Sequence, residues 1–114
     1  MMVLRPIPLR MLNDELEIMD GCEASSSIGR VRAELDAAFE PDGFDGHVAV
    51  GGRVYVDARN SIGARAVSPG TVVRLRGMAF TVVSCKEFEG AWGGVHHWEL
   101  GVRGLADGTG CEVG

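Results

Sequence analysis

The sequence has few of the residues that form cross-links or metal sites. Its 114 residues include three cysteines, three histidines and four prolines. Cys22, Cys85 and Cys111 are widely spaced, odd in number and form no CxxC pair. This pattern argues against a zinc site and, more strongly, against a disulfide framework, and it is typical of reduced thiols in a cytoplasm.

The sequence also lacks a basic region and a long hydrophobic run. Residues 1–57 hold five arginines and eleven acidic residues, a net charge of −6, whereas residues 58–114 carry +1. Neither half provides the basic face of a protein that grips nucleic acid. No stretch approaches the ~20 apolar residues of a membrane span, and Pro6 and Pro8 interrupt the apolar N-terminus, so we expect no membrane segment and no signal peptide.

Motifs of common enzymes are missing as well. The sequence contains no GxSxG nucleophile elbow and no GxGxxG or GxxxxGK[ST] phosphate loop. Its acidic stretches, residues 14–23 and 34–45, are interpreted as solvated faces. We therefore predict that the chain is not an enzyme and has no catalytic, metal-binding or cofactor-binding residues.

What the sequence does contain is glycine and alternating apolar residues. Seventeen glycines separate short runs of alternating hydrophobicity, the pattern of β-strands and turns. We predict an all-β fold, a small antiparallel β-barrel of five to seven strands, in which residues 31–39 form either a strand or a short helix. Residues 71–77 and 79–85 are predicted to form a hairpin, and residues 95–103 the closing strand.

Breaker residues divide the chain into three parts. Residues 1–13 are predicted to be an extended N-terminal arm, because Pro6 and Pro8 prevent a helix from starting there. Residues 14–103 are the β-barrel domain, with a long loop at about 36–52 that is rich in acids and glycine. Residues 104–114 are a flexible tail.

The stretch "GVHHWELGV" (94–102) raises the question of a metal or acid/base site. Because neighbouring residues of a strand point to opposite faces, His96 is predicted to lie with Trp98 on the inner face, and His97 with Glu99 near the surface. Adjacent histidines of a regular strand do not converge on one metal ion, so the pair is interpreted as structural. A second class of function comes from Tyr55, Phe88 and Trp92, which could stack bases on a barrel of the oligonucleotide-binding kind.

Three segments together resemble a known family. They are "RPIPLRML", "VYVDARNSIGA" and "GTVVRLRGMAFTVVSC…VHHWELGV". Their order and spacing are similar to those of tailed-phage minor capsid proteins of the head–tail connector, the head-closure or stopper family of phages and prophages. The resemblance spans about residues 5–103; the stretch 36–52 and the tail after Arg103 depart from the family pattern. The matching positions are Arg5, Pro6, Ile7, Pro8, Arg10, Tyr55, Asp57, Asn60, Ser61, Gly77, His96, His97, Trp98 and Glu99.

The resemblance implies a structural role in the virion. Copies, twelve as in related connectors, would form a ring beneath the portal and adaptor proteins, close the DNA-filled head and join it to the tail proteins. Packaged DNA would pass nearby without specific binding, and assembly would take place in the cytoplasm of the bacterial host. The alternative, from the residues alone, is a small β-barrel that binds a ligand or an oligonucleotide.

Two surfaces follow as hypotheses. The arm would lie on a neighbouring subunit or fold back on its own domain, because its apolar residues are costly to leave in water. The loop would enter the channel, where its acids repel phosphates, or remain an ordinary surface loop. Asp57, Asn60 and Ser61 are expected to cap a turn. The proposed subunit-interface residues are Leu4, Arg5, Ile7, Leu9, Arg10 and Leu12. The proposed channel-loop residues are Glu40, Asp42, Phe44, Asp45, Gly51 and Gly52.

Overall fold

Six strands and one short helix make up the described part of the chain. The computed structural model describes residues 9–39, 48–91 and 93–105. A 3-10 helix, Leu9–Met11, precedes the first strand. The strands are β1 (Asp14–Asp20), β2 (Glu23–Phe39), β3 (Val48–Asp57), β4 (Val72–Leu75), β5 (Met78–Glu89) and β6 (Val95–Gly104).

The strands close into an antiparallel barrel in the order β1-β2-β3-β6-β5-β4. β1 pairs with β4 through three residue pairs, Leu16 with Leu75 to Ile18 with Val73, and this short seam completes the ring. Two bidentate ion pairs join the strands and turns at the seam: Arg74 with Glu17 at 3.0 and 3.1 Å, and Arg76 with Asp14 at 2.8 Å. The predicted all-β barrel is therefore confirmed. No helix in the described ranges is long and apolar enough to cross a membrane.

Alternating side chains build the core. In β4, Val73 and Leu75 are buried while their neighbours are half-buried, and in β6 the inner positions Leu100 and Val102 alternate with more exposed residues. Branched aliphatic residues fill the interior around one aromatic ring, because they pack well from a pleated surface. The core residues include Leu16, Ile28, Val31, Val54, Val56, Val73, Leu75, Phe80, Val82, Leu100 and Val102.

β2 changes its partner at a sharp corner. Up to Val31 it pairs with β1, and from Arg32 onward it pairs with β3. Arg30 takes φ 55° at this corner, a conformation that costs an L-residue about 1 kcal/mol. A backbone bridge between Gly29 and Ile62 holds the corner in place. A continuous, bent strand occupies residues 31–39, so the alternative of a short helix there is wrong.

The β4–β5 hairpin is confirmed. The sequence pattern predicts its corner at Gly77–Met78, and the structure places the turn one residue earlier. Arg76 and Gly77 have φ of 53° and 77° and form the two-residue connection. Positive φ at both positions is the signature of a type I′ turn, whose twist matches that of the flanking strands. Met78 already belongs to β5.

The predicted loop at 36–52 is wrong at both ends. Residues 36–39 and 48–52 are paired strand, with Phe39 opposite Val48 and Leu35 opposite Gly52. Gly51 and Gly52 are thus not channel-loop residues. They lie within β3, where their backbone pairs directly with that of β2. Similarly, the composition of residues 21–27 and 86–94 is typical of loops and turns, but β2 begins at Glu23 and β5 extends to Glu89.

The start of the chain is not wholly an extended arm. Residues 9–11 are helical and lie against β2, and Leu12 is only 4% exposed. Leu12 is therefore not a subunit-interface residue, because it is already buried in its own domain. Residues 106–114 of the predicted tail and some hypothesised site residues lie outside the described residues. The latter are Leu4, Arg5, Ile7, Glu40, Asp42, Phe44 and Asp45.

Candidate functional site

A β-bulge in β6 brings the two adjacent histidines together. Phe88 of β5 pairs with His97, but the next residue, Glu89, pairs with Val95, so His96 is the extra residue of the bulge. Bulges re-aim side chains because they break the strict alternation of the strand. The two Nδ1 atoms lie 2.6 Å apart, with the rings edge to face at 81°. The prediction that His96 and His97 point to opposite faces is therefore wrong.

His97 is the middle of three rings on neighbouring strands. Its ring stacks on Phe88 of β5, with centroids 4.6 Å apart and planes 7° from parallel. Tyr55 of β3 lies on its other side at 6.2 Å and a tilt of 48°. We name Tyr55, His97 and Phe88 the aromatic strip. Phe88 is 37% exposed, so the strip has solvent access along the barrel wall.

Paired charges surround the aromatic strip. Arg53 forms an ion pair with Glu99 at 3.2 Å, and Arg32 forms one with Glu34 at 2.8 Å. The Tyr55 hydroxyl donates to Glu34 Oε2 at 3.4 Å. The Arg32 guanidinium, by hydrogen bonding, lowers the pKa of Glu34 below its ordinary value. Exposed pairs of this kind add little stability, but they leave the strip without a dominant charge.

The His97 imidazole is held in its neutral form near neutral pH. Partial burial lowers the pKa of His97 below its ordinary value, and the neighbouring His96 lowers it further. Glu99 and Asp57 act in the opposite direction with smaller effect. A neutral ring stacks on Phe88 without the cost of desolvating a charge.

We predict that the free energy of unfolding decreases as the pH falls from about 6.5 to the folded-state pKa of His97. The folded-state pKa of His97 lies below its unfolded value of about 6.5, so the unfolded chain takes up the proton first. The contribution is complete above pH ~6.5 and is lost as the pH falls through the folded pKa. Urea unfolding at a series of pH values should show this loss. In the His97→Gln variant, the free energy of unfolding should depend less steeply on pH. An unchanged pH dependence in His97→Gln would contradict the assignment. The carboxylates Glu17 and Glu34 do not account for the loss, because hydrogen bonds from Arg74 and Arg32 lower their pKa values below the ordinary range of glutamate.

Asp57 and Ser61 hold the turn that follows β3. The Asp57 carboxylate is fully buried and accepts hydrogen bonds from the backbone N–H groups of Arg59 at 3.1 Å and Asn60 at 2.6 Å. The Ser61 hydroxyl accepts from the Asp57 N–H at 2.9 Å and donates to the Arg30 carbonyl at 2.5 Å. The prediction that this motif caps a turn is confirmed. The turn also ties the β2 corner to the end of β3.

Trp98 lies on the inner side, as predicted. Its ring is partly buried and packs against the core, while its indole Nε1 is buried without a hydrogen-bond partner. Within the described ranges, no group of three or more His, Cys, Asp or Glu side chains is placed to hold a metal ion. The two histidines contact each other edge to face within a β-bulge.

The structure unites some predicted residues and separates others. Tyr55, His97 and Glu99 share the outer face of β3 and β6, whereas Gly77 belongs to a different hairpin. Sequence reasoning named Phe88 as a stacking residue but missed its contact with His97, because that contact depends on strand pairing. Trp92 lies outside the described residues. No protein-family model, curated protein or solved structure matches this chain.

Proposed function

We propose that this chain is a structural subunit of a tailed-phage or prophage head–tail connector. In this role it is a minor capsid protein of the virion, assembled in the host cytoplasm, whose copies form a ring that closes the DNA-filled head. The ring would lie below the portal and adaptor and above the tail proteins. We take twelve copies as the working stoichiometry, from the resemblance to related connectors.

One observation carries the proposal. The two most distinctive segments of the resemblance, Asp57 to Ser61 and His96 to Glu99, are distant in sequence but adjacent in the fold. Asp57 pairs with His97, and the Ala58 N–H donates to the His96 carbonyl at 3.0 Å. Two short segments that resemble the same family support the resemblance more strongly when they form one structural unit. The side chains of that unit cap a turn and stack on neighbouring rings, which are roles that suit a scaffold subunit.

The barrel's charges also support a protein that lies beside DNA without holding it. Arg32, Arg53, Arg74 and Arg76 are each engaged by a carboxylate of the same chain. The full chain has a net charge of −5. Each pairing removes one cation that could release counterions from phosphates, and the acidic net charge opposes DNA binding.

The experiment is to delete the reading frame from the prophage that carries it, induce the lysogen and image the lysate by electron microscopy. We expect separate tails beside tailless heads that leak DNA, with intact particles restored by the wild-type gene on a plasmid. Normal infectious particles from the deletion strain would overturn the proposal.

A second candidate is an oligonucleotide-binding barrel, favoured by the aromatic strip. Stacked rings on a barrel wall are a common platform for single-stranded nucleic acid. Titration with single-stranded DNA at two salt concentrations separates the candidates. Binding that weakens steeply with salt supports the second candidate, and no binding supports the connector.

A further inference from the structure

The aromatic strip has the composition of a protein-docking surface. It combines Tyr55, His97 and Phe88 with two arginines on its border, and aromatic residues and arginine dominate the energetics of protein interfaces. The border charges are already paired within the chain, so a partner that covers them leaves no charge buried without a counter-charge. Phe88 is among the few large apolar side chains of the described residues that remain exposed.

The N-terminal arm has the complementary composition. Residues 1–8 read MMVLRPIP, and no acidic residue precedes Asp14. Prolines at positions 6 and 8 favour the polyproline II conformation, which binds aromatic-lined grooves with little loss of conformational entropy. Arg5 supplies a guanidinium that can stack on a tyrosine or phenylalanine ring or pair with a carboxylate such as Glu34.

We propose that residues 1–8 of one copy dock onto the aromatic strip of a second copy. The contact is heterologous, since the arm and the strip are different surfaces, and repeated contacts of this kind close into a ring when the rotation permits. The inference rests on the proposed function only in that a ring supplies the neighbouring copy.

A neighbouring copy lies within the reach of eight residues that precede the barrel domain. The 3-10 helix and the buried Leu12 fix the start of the barrel domain. Eight residues in the polyproline II conformation would span about 25 Å, a distance that can reach a second copy.

The test uses full-length chains and two sets of substitutions. The arm variant carries Arg5→Glu, Pro6→Ala and Pro8→Ala. The strip variant carries Phe88→Ser, a change at an exposed ring. The control is Val83→Ser, which alters another exposed apolar residue of β5, 49% exposed, outside the strip. Circular dichroism and thermal melting establish that each variant is folded.

Association is measured by sedimentation velocity and light scattering over a range of concentrations. We expect the wild type and Val83→Ser to associate and the arm and strip variants to associate at least tenfold more weakly, as for loss of an interface anchor. The decisive sample is an equal mixture of the two variants. A pair made of one chain of each variant has one intact arm, from the strip variant, and one intact strip, from the arm variant. The mixture should therefore form dimers and no larger species.

Three results would overturn the inference: a wild type that stays monomeric, a mixture that forms no dimers, or a Val83→Ser variant as impaired as the strip variant. A monomeric wild type would leave the arm on its own domain. These measurements are independent of the prophage deletion. Tailless heads from the deletion strain together with a monomeric protein would support the connector role and reject the docking contact. Normal particles together with arm-dependent association would reject the connector role and support the docking contact.

Discussion

Gly52→Ala is expected to destabilise the barrel by about 3 kcal/mol, the upper range for overpacking a well-packed site. A Cβ at Gly52 would lie 2.1 Å from the Glu34 carbonyl oxygen and 2.9 Å from Leu35 Cα. Both are backbone atoms of β2, so no side-chain rotation can relieve the clash. The strands must separate where Gly52 of β3 pairs with Leu35 of β2, and their hydrogen bonds weaken. Urea unfolding followed by circular dichroism measures the loss.

Gly94→Ala is the matched control for this substitution. A Cβ at Gly94 meets no atom within 4 Å, and its φ lies outside the left-handed region. We expect a change within about 0.5 kcal/mol, as for most surface substitutions. Equal unfolding midpoints for Gly52→Ala and the wild type would show that β2 and β3 do not approach so closely.

Ser61→Ala is expected to cost about 2 kcal/mol, because it removes one hydroxyl that serves two strands. Without it, the Asp57 N–H and the Arg30 carbonyl each lose their side-chain partner, and the first of these groups is buried. Leaving a buried polar group unsatisfied costs more than the net value of an ordinary hydrogen bond. The corner at Arg30 would also lose a hydrogen bond that helps to offset the cost of its positive φ.

Ser68→Ala provides the comparison, since Ser68 is exposed in the same connecting segment. Thermal melting should place Ser68→Ala with the wild type and Ser61→Ala clearly below both. If the two variants melt together, the hydroxyl of Ser61 does not hold the corner, and the turn depends on the Asp57 carboxylate alone.

The parts of the fold that could be predicted were those set by local pattern. Alternation identified β4 and β6, and the glycine after Arg76 marked the turn between β4 and β5. The cap at Asp57 and Ser61 was predictable because short polar side chains bond to nearby backbone. Residues 36–39 and 48–52 were not, since acids and glycine are typical of loops and only pairing between β2 and β3 makes them strand.

The candidate site was harder to predict for a related reason. Strict alternation places His96 and His97 on opposite faces, and one extra residue opposite Phe88 and Glu89 cancels that rule. A bulge is a property of two strands together, so the residues of β6 alone carry little sign of it. Similarly, the aromatic strip is formed by three strands whose order in the barrel differs from their order in the chain.

The order of strands around the barrel has a consequence for how the chain reaches its native state. β1-β2-β3 and β4-β5-β6 are each contiguous in sequence and joined by local hairpins, whereas the β3–β6 and β1–β4 pairings join distant residues. Loop-closure entropy must be overcome before distant pairings contribute. We therefore expect two halves that acquire structure early and a slow final step in which they meet, at millisecond to second times typical of barrels with non-local topology.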